Sequence, residues 1–175
     1  MTKISLSTFN DRPKHVVYRP DFKDFGTIQI PDGKVDITDP CYDSSVWCRM
    51  NQVEIKPGEY KCFASVSDSH RVATCAIVHV DSLTKGIENI QPWVKIGSIG
   101  VDAGCAGFFP DKPDFPDEEW YKLCDFMKEC REKGAPCYLK EDLGFWTDSG
   151  YGDGEYYVYA RRVSNQIDAI MIDFD

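Results

Sequence analysis

The sequence predicts an α+β fold: a mainly antiparallel β-sheet built from hairpins, with one long amphipathic helix packed on it. Three observations carry this reading. Several short runs alternate apolar and polar residues with a period of two, the pattern of half-buried strands. Glycine, proline, aspartate or serine clusters separate those runs in pairs, as hairpins require. Only one stretch, near residues 116–133, repeats apolar residues at three- and four-residue intervals, and no βα alternation recurs.

Length and composition bound the rest. The chain has 175 residues, 42% of them apolar and 28% charged, which suits one domain with its own core and excludes a disordered, collagen-like or coiled-coil chain. Residues 1–22 are polar and aperiodic and read as an irregular arm; residues 23–175 read as the domain. The 20 basic and 29 acidic residues leave a net charge of −9, so most of the surface repels phosphate and general nucleic-acid binding is not expected. No stretch reaches the roughly 20 apolar residues of a membrane span. The opening MTKISLSTFNDRPKH has no signal-peptide core, which points to a cytoplasmic protein.

Taken in order, the first hairpin is expected at residues 27–37. Ile28 and Ile30 alternate with polar residues, Val35 and Ile37 do the same, and Asp32-Gly33 lies between them as a type I′ turn candidate. A second hairpin pairs residues 60–66 with 72–80 across Ser67-Asp68-Ser69-His70. Residues 81–92 read as a loop, and 93–101 as a strand around Trp93, Ile96 and Ile99. In the helix, Trp120, Leu123, Cys124, Met127 and Cys130 share one face. Asp117, Glu118 and Glu119 match the positive end of its dipole, and Gly134 with Pro136 ends it. A third hairpin joins 155–163 to 167–174 through Ser164-Asn165-Gln166. This gives roughly eight strands.

The eight cysteines form no Cys-x-x-Cys pair and no zinc-type block with histidine. In a reducing compartment they are expected to be mostly structural thiols.

Three segments are richer in turn residues than strands require. They are residues 38–42, 100–109 and 148–156, and each places an aspartate at a strand end: Asp39, Asp102 and Asp153. Cys41 and Cys105 are candidate nucleophiles, but neither is tied to His15, His70 or His79 by a sequence signature, and Cys105 leads into Phe108-Phe109-Pro110 rather than a helix. Gly150, Gly152 and Gly154 suggest a phosphate loop at first sight. The Rossmann spacing is absent, the Walker ending Gly-Lys-Ser/Thr is absent, and Asp148, Asp153 and Glu155 would repel phosphate. Counted from Asp148, positions 6 and 12 of an EF-hand would be Asp153 and Tyr159, so that pattern fails too. The plain reading is a fixed turn in which Asp153 caps backbone amides.

Four pieces taken together resemble a protein family of bacteria and their phages that has no established activity. They are Asp39-Pro40-Cys41-Tyr42, the Val101-Asp102-Ala103-Gly104 segment leading to Phe108, Trp120-Tyr121 with Cys124, and the Ser149 to Tyr156 run before the final hairpin. The last piece is the most specific. The resemblance implies a shared architecture over about residues 35–175 and brings no catalytic residue, cofactor or substrate.

Two functions are therefore expected in competition. One is a noncatalytic binding or interaction domain for a protein or a small polar ligand, presenting Tyr42, Trp47, Tyr151 and Tyr156 beside the turns. The other is a small hydrolase or metal-dependent enzyme, in which Asp39, Asp102 and Asp153 converge to hold Mg²⁺ or Ca²⁺ or to act as an acid/base pair. No particular cofactor is indicated.

Overall fold

The structure, a computed structural model, describes residues 22–175. The described chain is mainly antiparallel β-structure with one α-helix. Its strands, in order, are β1 (Phe22–Ile30), β2 (Lys34–Thr38), β3 (Met50–Glu54), β4 (Gly58–Val66), β5 (Val72–His79), β6 (Val94–Val101), β7 (Cys105–Phe109), β8 (Cys137–Lys140), β9 (Gly144–Asp148), β10 (Gly154–Val163) and β11 (Gln166–Asp173). The helix α1 (Asp117–Glu132) lies between β7 and β8. The arm expected over residues 1–22 lies outside the described residues, except Phe22, which opens β1.

Where one sheet was expected, there are two. A six-stranded sheet has the order β1-β4-β5-β11-β10-β6, and a five-stranded sheet the order β3-β2-β7-β9-β8. They share one core, to which β1, β4, β5, β6, β10 and β11 contribute from one side and β2, β3, β7, β8 and β9 from the other. β4 and β5 pair antiparallel around residues 67–71. β10 and β11 pair antiparallel through Ser164 and Asn165, whose φ angles of 50° and 66° match the two positive angles of a type I′ turn.

The hairpin expected at Asp32-Gly33 is not formed. β1 pairs with β4, whereas β2 pairs with β3 and β7, so the turn carries the chain from one sheet into the other. Of its two central residues only Gly33 has a positive φ, of 67°, and a type I′ turn needs two. The alternation on either side is real, but it reports burial. Ile28, Ile30, Val35 and Ile37 all enter the shared core, from opposing sheets.

Both sheets are apolar on their outer faces as well, and each face has a cover. Phe63, Ala76, Val78, Tyr159, Ala169 and Met171 of the six-stranded sheet lie beneath Ile90 and Trp93. These belong to a connection that contains two 3-10 turns, Val80–Ser82 and Ile87–Asn89. On the five-stranded sheet, Cys105, Phe109, Tyr138 and Trp146 lie beneath α1. Leu123 and Met127 are its buried residues, each worth about 1.5–3 kcal/mol of apolar burial. Trp146 Nε1 donates to Met127 Sδ at 3.1 Å. Trp120 and Cys124 are only partly buried. The helix opens with Asp117, Glu118 and Glu119 and closes with Gly134 at φ 83°, where Ala135 N–H reaches the Cys130 carbonyl at 3.1 Å.

Candidate functional site

The three turn-rich segments meet at one end of the two sheets, because the end of β2, the β6–β7 turn and the β9–β10 connection all lie there. Asp39 follows β2 and is fully buried. Its Oδ1 accepts the N–H of Cys41 at 2.8 Å, which closes the Asp39–Tyr42 turn on itself. Its Oδ2 accepts the N–H groups of Asp102 at 2.8 Å and Ala103 at 2.6 Å, which staples that turn to the β6–β7 turn. Burial pushes the Asp39 carboxyl above its ordinary pKa, and the three N–H donors oppose that shift.

The staple continues into the glycine-rich segment. Gly104, at φ 65°, donates its N–H to Asp153 Oδ1 at 3.0 Å and accepts Ser149 N–H at 2.9 Å. Within the segment, the hydroxyls of Ser149 and Tyr156 both donate to the Gly152 carbonyl, at 2.6 and 2.8 Å. Gly150 sits at φ 62°, and a Cβ there would come within 2.5 Å of the Val72 carbonyl oxygen. The segment is a built turn, and Asp153 is one of its struts.

The structure therefore brings Asp39, Asp102 and Asp153 to one region but gives two of the carboxylates internal work. Among the described residues, no group of three or more His, Cys, Asp or Glu side chains is placed to hold a metal ion. All eight cysteines are free thiols. Cys105 opens β7 and is fully buried, and burial drives its pKa well up, assisted by the Asp39 and Asp148 charges. Cys41 is exposed, yet burial of its thiol and the neighbouring Asp39 and Asp102 carboxylates also raise its pKa, which disfavours the nucleophilic thiolate. His79 is buried and uses both ring nitrogens, with Nε2 3.1 Å from the Pro57 carbonyl and Nδ1 accepting Asp81 N–H at 3.2 Å. Tyr42 is partly buried, and burial together with its hydrogen bond to Cys48 raises its hydroxyl pKa. Tyr156 packs edge-on to Phe174 at 5.1 Å, while Tyr151 is 67% exposed beneath the Arg71 guanidinium, 4.3 Å from its ring centre.

Sequence reasoning missed the bracing of the β2–β3 connection, residues 39–49. Arg49 is buried; its Nη1 donates to the Tyr42 carbonyl at 2.6 Å, and its Nη2 lies 3.6 Å from buried Asp36. Asp36 also accepts the backbone N–H groups of Gln52 at 2.8 Å and Lys112 at 3.3 Å. The side chain of Lys112 is turned inward as well, with Nζ on the Pro113 carbonyl at 2.8 Å. Ser44 donates from its backbone and its hydroxyl to the two oxygens of Asp114, at 2.7 and 3.0 Å. Cys48 accepts Gly100 N–H at 2.7 Å. Between these anchors the connection presents Trp47, which is 92% exposed. The one sequence signal for this was an aromatic residue in a run of turn formers; nothing marked its supports.

Comparison with protein-family models, with curated proteins and with solved structures finds no match to this chain.

Proposed function

We propose that this chain is a noncatalytic recognition domain, which docks a protein or a small polar ligand through the end formed by residues 39–49, 102–104 and 149–154. One observation carries the reading. Trp47 is almost wholly exposed, yet it stands on a connection fixed at Tyr42, Ser44 and Cys48. An exposed tryptophan costs solvation in the free protein and supplies a large, rigid contact area when covered, so a pre-ordered one fits a binding anchor. Pre-ordering also removes part of the entropy cost of association. The enzymatic reading of Asp39, Asp102 and Asp153 has weaker support, because Asp39 and Asp153 spend their carboxylates on backbone amides.

Selection of binders from a displayed peptide library tests this, using wild type and Trp47→Ala as parallel targets. Peptides enriched on wild type should lose about 30-fold or more in affinity on Trp47→Ala, the size of a tryptophan hot spot. Equal enrichment on both targets would remove the tryptophan from the site. A rise in thermal midpoint with Mg²⁺ or Ca²⁺, lost in Asp102→Asn, would favour the metal-dependent enzyme instead.

A further inference from the structure

On either side of Trp47 the chain leads to a carboxylate that the fold leaves free. Before it, Val46 N–H donates to the Asp43 carbonyl at 3.1 Å, which closes residues 43–46 into a turn. After it, the Cys48 carbonyl accepts Gly100 N–H at 2.7 Å, and a Cβ on Gly100 would come within 3.0 Å of Cys48 Cβ. The missing side chain at Gly100 thus lets the end of β6 press against the residue next to Trp47, and Asp102 follows two positions later. Asp43 and Asp102 are both exposed, and among the described residues neither carboxylate has a hydrogen-bond or ion-pair partner. We infer that the occupant of the Trp47 end is an arginine-bearing basic segment of a partner protein, an assignment that rests on the reading of this end as a recognition surface.

The charges that remain accessible select that chemistry. In residues 39–49, 102–104 and 149–154 the charged side chains are Asp39, Asp43, Arg49, Asp102 and Asp153. Asp39 and Arg49 are buried and bonded within the fold. The exposed set is Asp43, Asp102 and Asp153, of which only Asp153 has an internal bond, from Oδ1 to Gly104 N–H. Neighbouring cations are committed elsewhere. Arg71 lies over the Tyr151 ring, Arg131 is paired with Asp148, and Lys112 is buried with Nζ on the Pro113 carbonyl. The Arg49 and Lys112 charges reach Asp43 and offset part of its field, whereas Asp102 stands beside another carboxyl, that of Asp39.

Each class of segment meets this end differently. An acidic segment is repelled. An apolar segment that covers Trp47 draws water away from Asp43 and Asp102 and gives them no partner, which costs part of what the tryptophan contributes. A cationic segment replaces that water with opposite charge. Arginine fits better than lysine, because its planar guanidinium stacks on an indole face and donates in a fork to a carboxylate.

Fluorescence anisotropy of the full chain with a labelled peptide alternating arginine and glycine tests the assignment. The same peptide with norleucine or glutamate in place of arginine, and arginine amide as a competitor, serve as controls. The arginine peptide should bind with a Kd at or below about 100 μM in about 50 mM salt, and more weakly as salt rises. The norleucine peptide should bind at least about tenfold more weakly, and the glutamate peptide more weakly still. Trp47→Ala should weaken the arginine peptide about 30-fold, and Asp43→Asn combined with Asp102→Asn about tenfold. Glu141→Gln combined with Asp142→Asn removes the same charge from the exposed β8–β9 turn and should change the affinity less than about twofold. All these side chains are exposed, so the thermal midpoints should stay at the wild-type value. An arginine peptide that binds no better than the norleucine peptide would overturn the assignment, as would equal losses in the two carboxylate variants. Arginine amide competing at the same concentration as the peptide would overturn it in favour of a small cation. In those cases binding of the norleucine peptide or of library-selected peptides that still depends on Trp47 would leave the recognition surface standing; loss of Trp47 dependence from every peptide would remove both.

Discussion

The two covers of the molecule solve the same problem with different degrees of burial. Beneath the connection over the six-stranded sheet, Arg161 donates from Nε to Asp168 Oδ1 at 3.0 Å and from Nη2 to Oδ2, while Ser82 Oγ also donates to Oδ2. Beside the helix over the five-stranded sheet, Arg131 donates to both oxygens of Asp148, at 3.0 and 2.7 Å, and Tyr138 Oη adds a bond of 2.6 Å. Each arrangement is a bidentate arginine–carboxylate pair completed by one hydroxyl. They differ in their access to water. The side chains of Arg161 and Asp168 are 11% and 4% exposed, those of Arg131 and Asp148 43% and 29%. The chemistry of a pair therefore says little about its contribution to stability; its solvation decides.

Breaking the buried pair should have the largest effect. Arg161→Ala leaves Asp168 charged and nearly inaccessible to water, a loss of about 3–5 kcal/mol. Urea denaturation measures it, and a loss below about 1 kcal/mol would show that water reaches Asp168. The same contrast extends to the aromatic residues of the covers. Trp93, in the first cover, is 4% exposed, so Trp93→Ala should cost about 3–5 kcal/mol. Trp120 in α1 is only partly buried, so Trp120→Ala should cost less, about 2 kcal/mol. Equal losses would mean that the helix buries its tryptophan as fully as the connection does.

How much of this was legible in the sequence follows the same division. β4, β5, β10 and β11 are long, and their pairs are local, so alternation and turn residues announced them. In the five-stranded sheet, β7 to β9 have only four or five residues each. β7 reads Cys-Ala-Gly-Phe-Phe without any polar alternation, because Ala106 and Phe108 face the shared core while Cys105 and Phe109 face the helix. A strand covered on both sides loses the period that marks a strand. At the candidate site, each strand-end aspartate was visible, since Asp and Gly dominate turns. Their joining through Asp102, Ala103 and Gly104 was not visible, because it depends on tertiary approach across 49 to 64 positions. Arg49 and Lys112 carried no sequence signal for the same reason; Lys112 N–H meets Asp36 across 76 positions.

Arg131→Ala should be the mild counterpart of Arg161→Ala. Asp148 keeps its Tyr138 bond and its access to water, so the loss should be about 1 kcal/mol or less and should shrink further in high salt. A salt-independent loss comparable with that of Arg161→Ala would erase the distinction between the two covers.

The smallest effect belongs to a carboxylate at the exposed limit of the series. Asp114 is exposed, and its pKa is held below the ordinary aspartate value chiefly by the Ser44 backbone N–H, with the Ser44 hydroxyl and the Lys112 and Arg49 charges acting in the same direction and burial opposing them. A carboxyl whose folded pKa is depressed stabilises the fold above its unfolded pKa, and that contribution fades as pH falls through the folded value. The brace between Ser44 and Asp114 should thus be complete at neutral pH and be lost in acid. The Ser44 amide resonance should titrate with a midpoint below about 3.9, and the Trp47 indole resonance should move with it, since both report on the β2–β3 connection. Asp114→Asn should abolish the titration of both while leaving the denaturation midpoint close to wild type, because an exposed pair contributes little to global stability. A midpoint above about 3.9 would mean that the Ser44 bonds do not favour the charged carboxylate. Titration of Ser44 without Trp47 would uncouple the brace from the tryptophan it is inferred to hold in place.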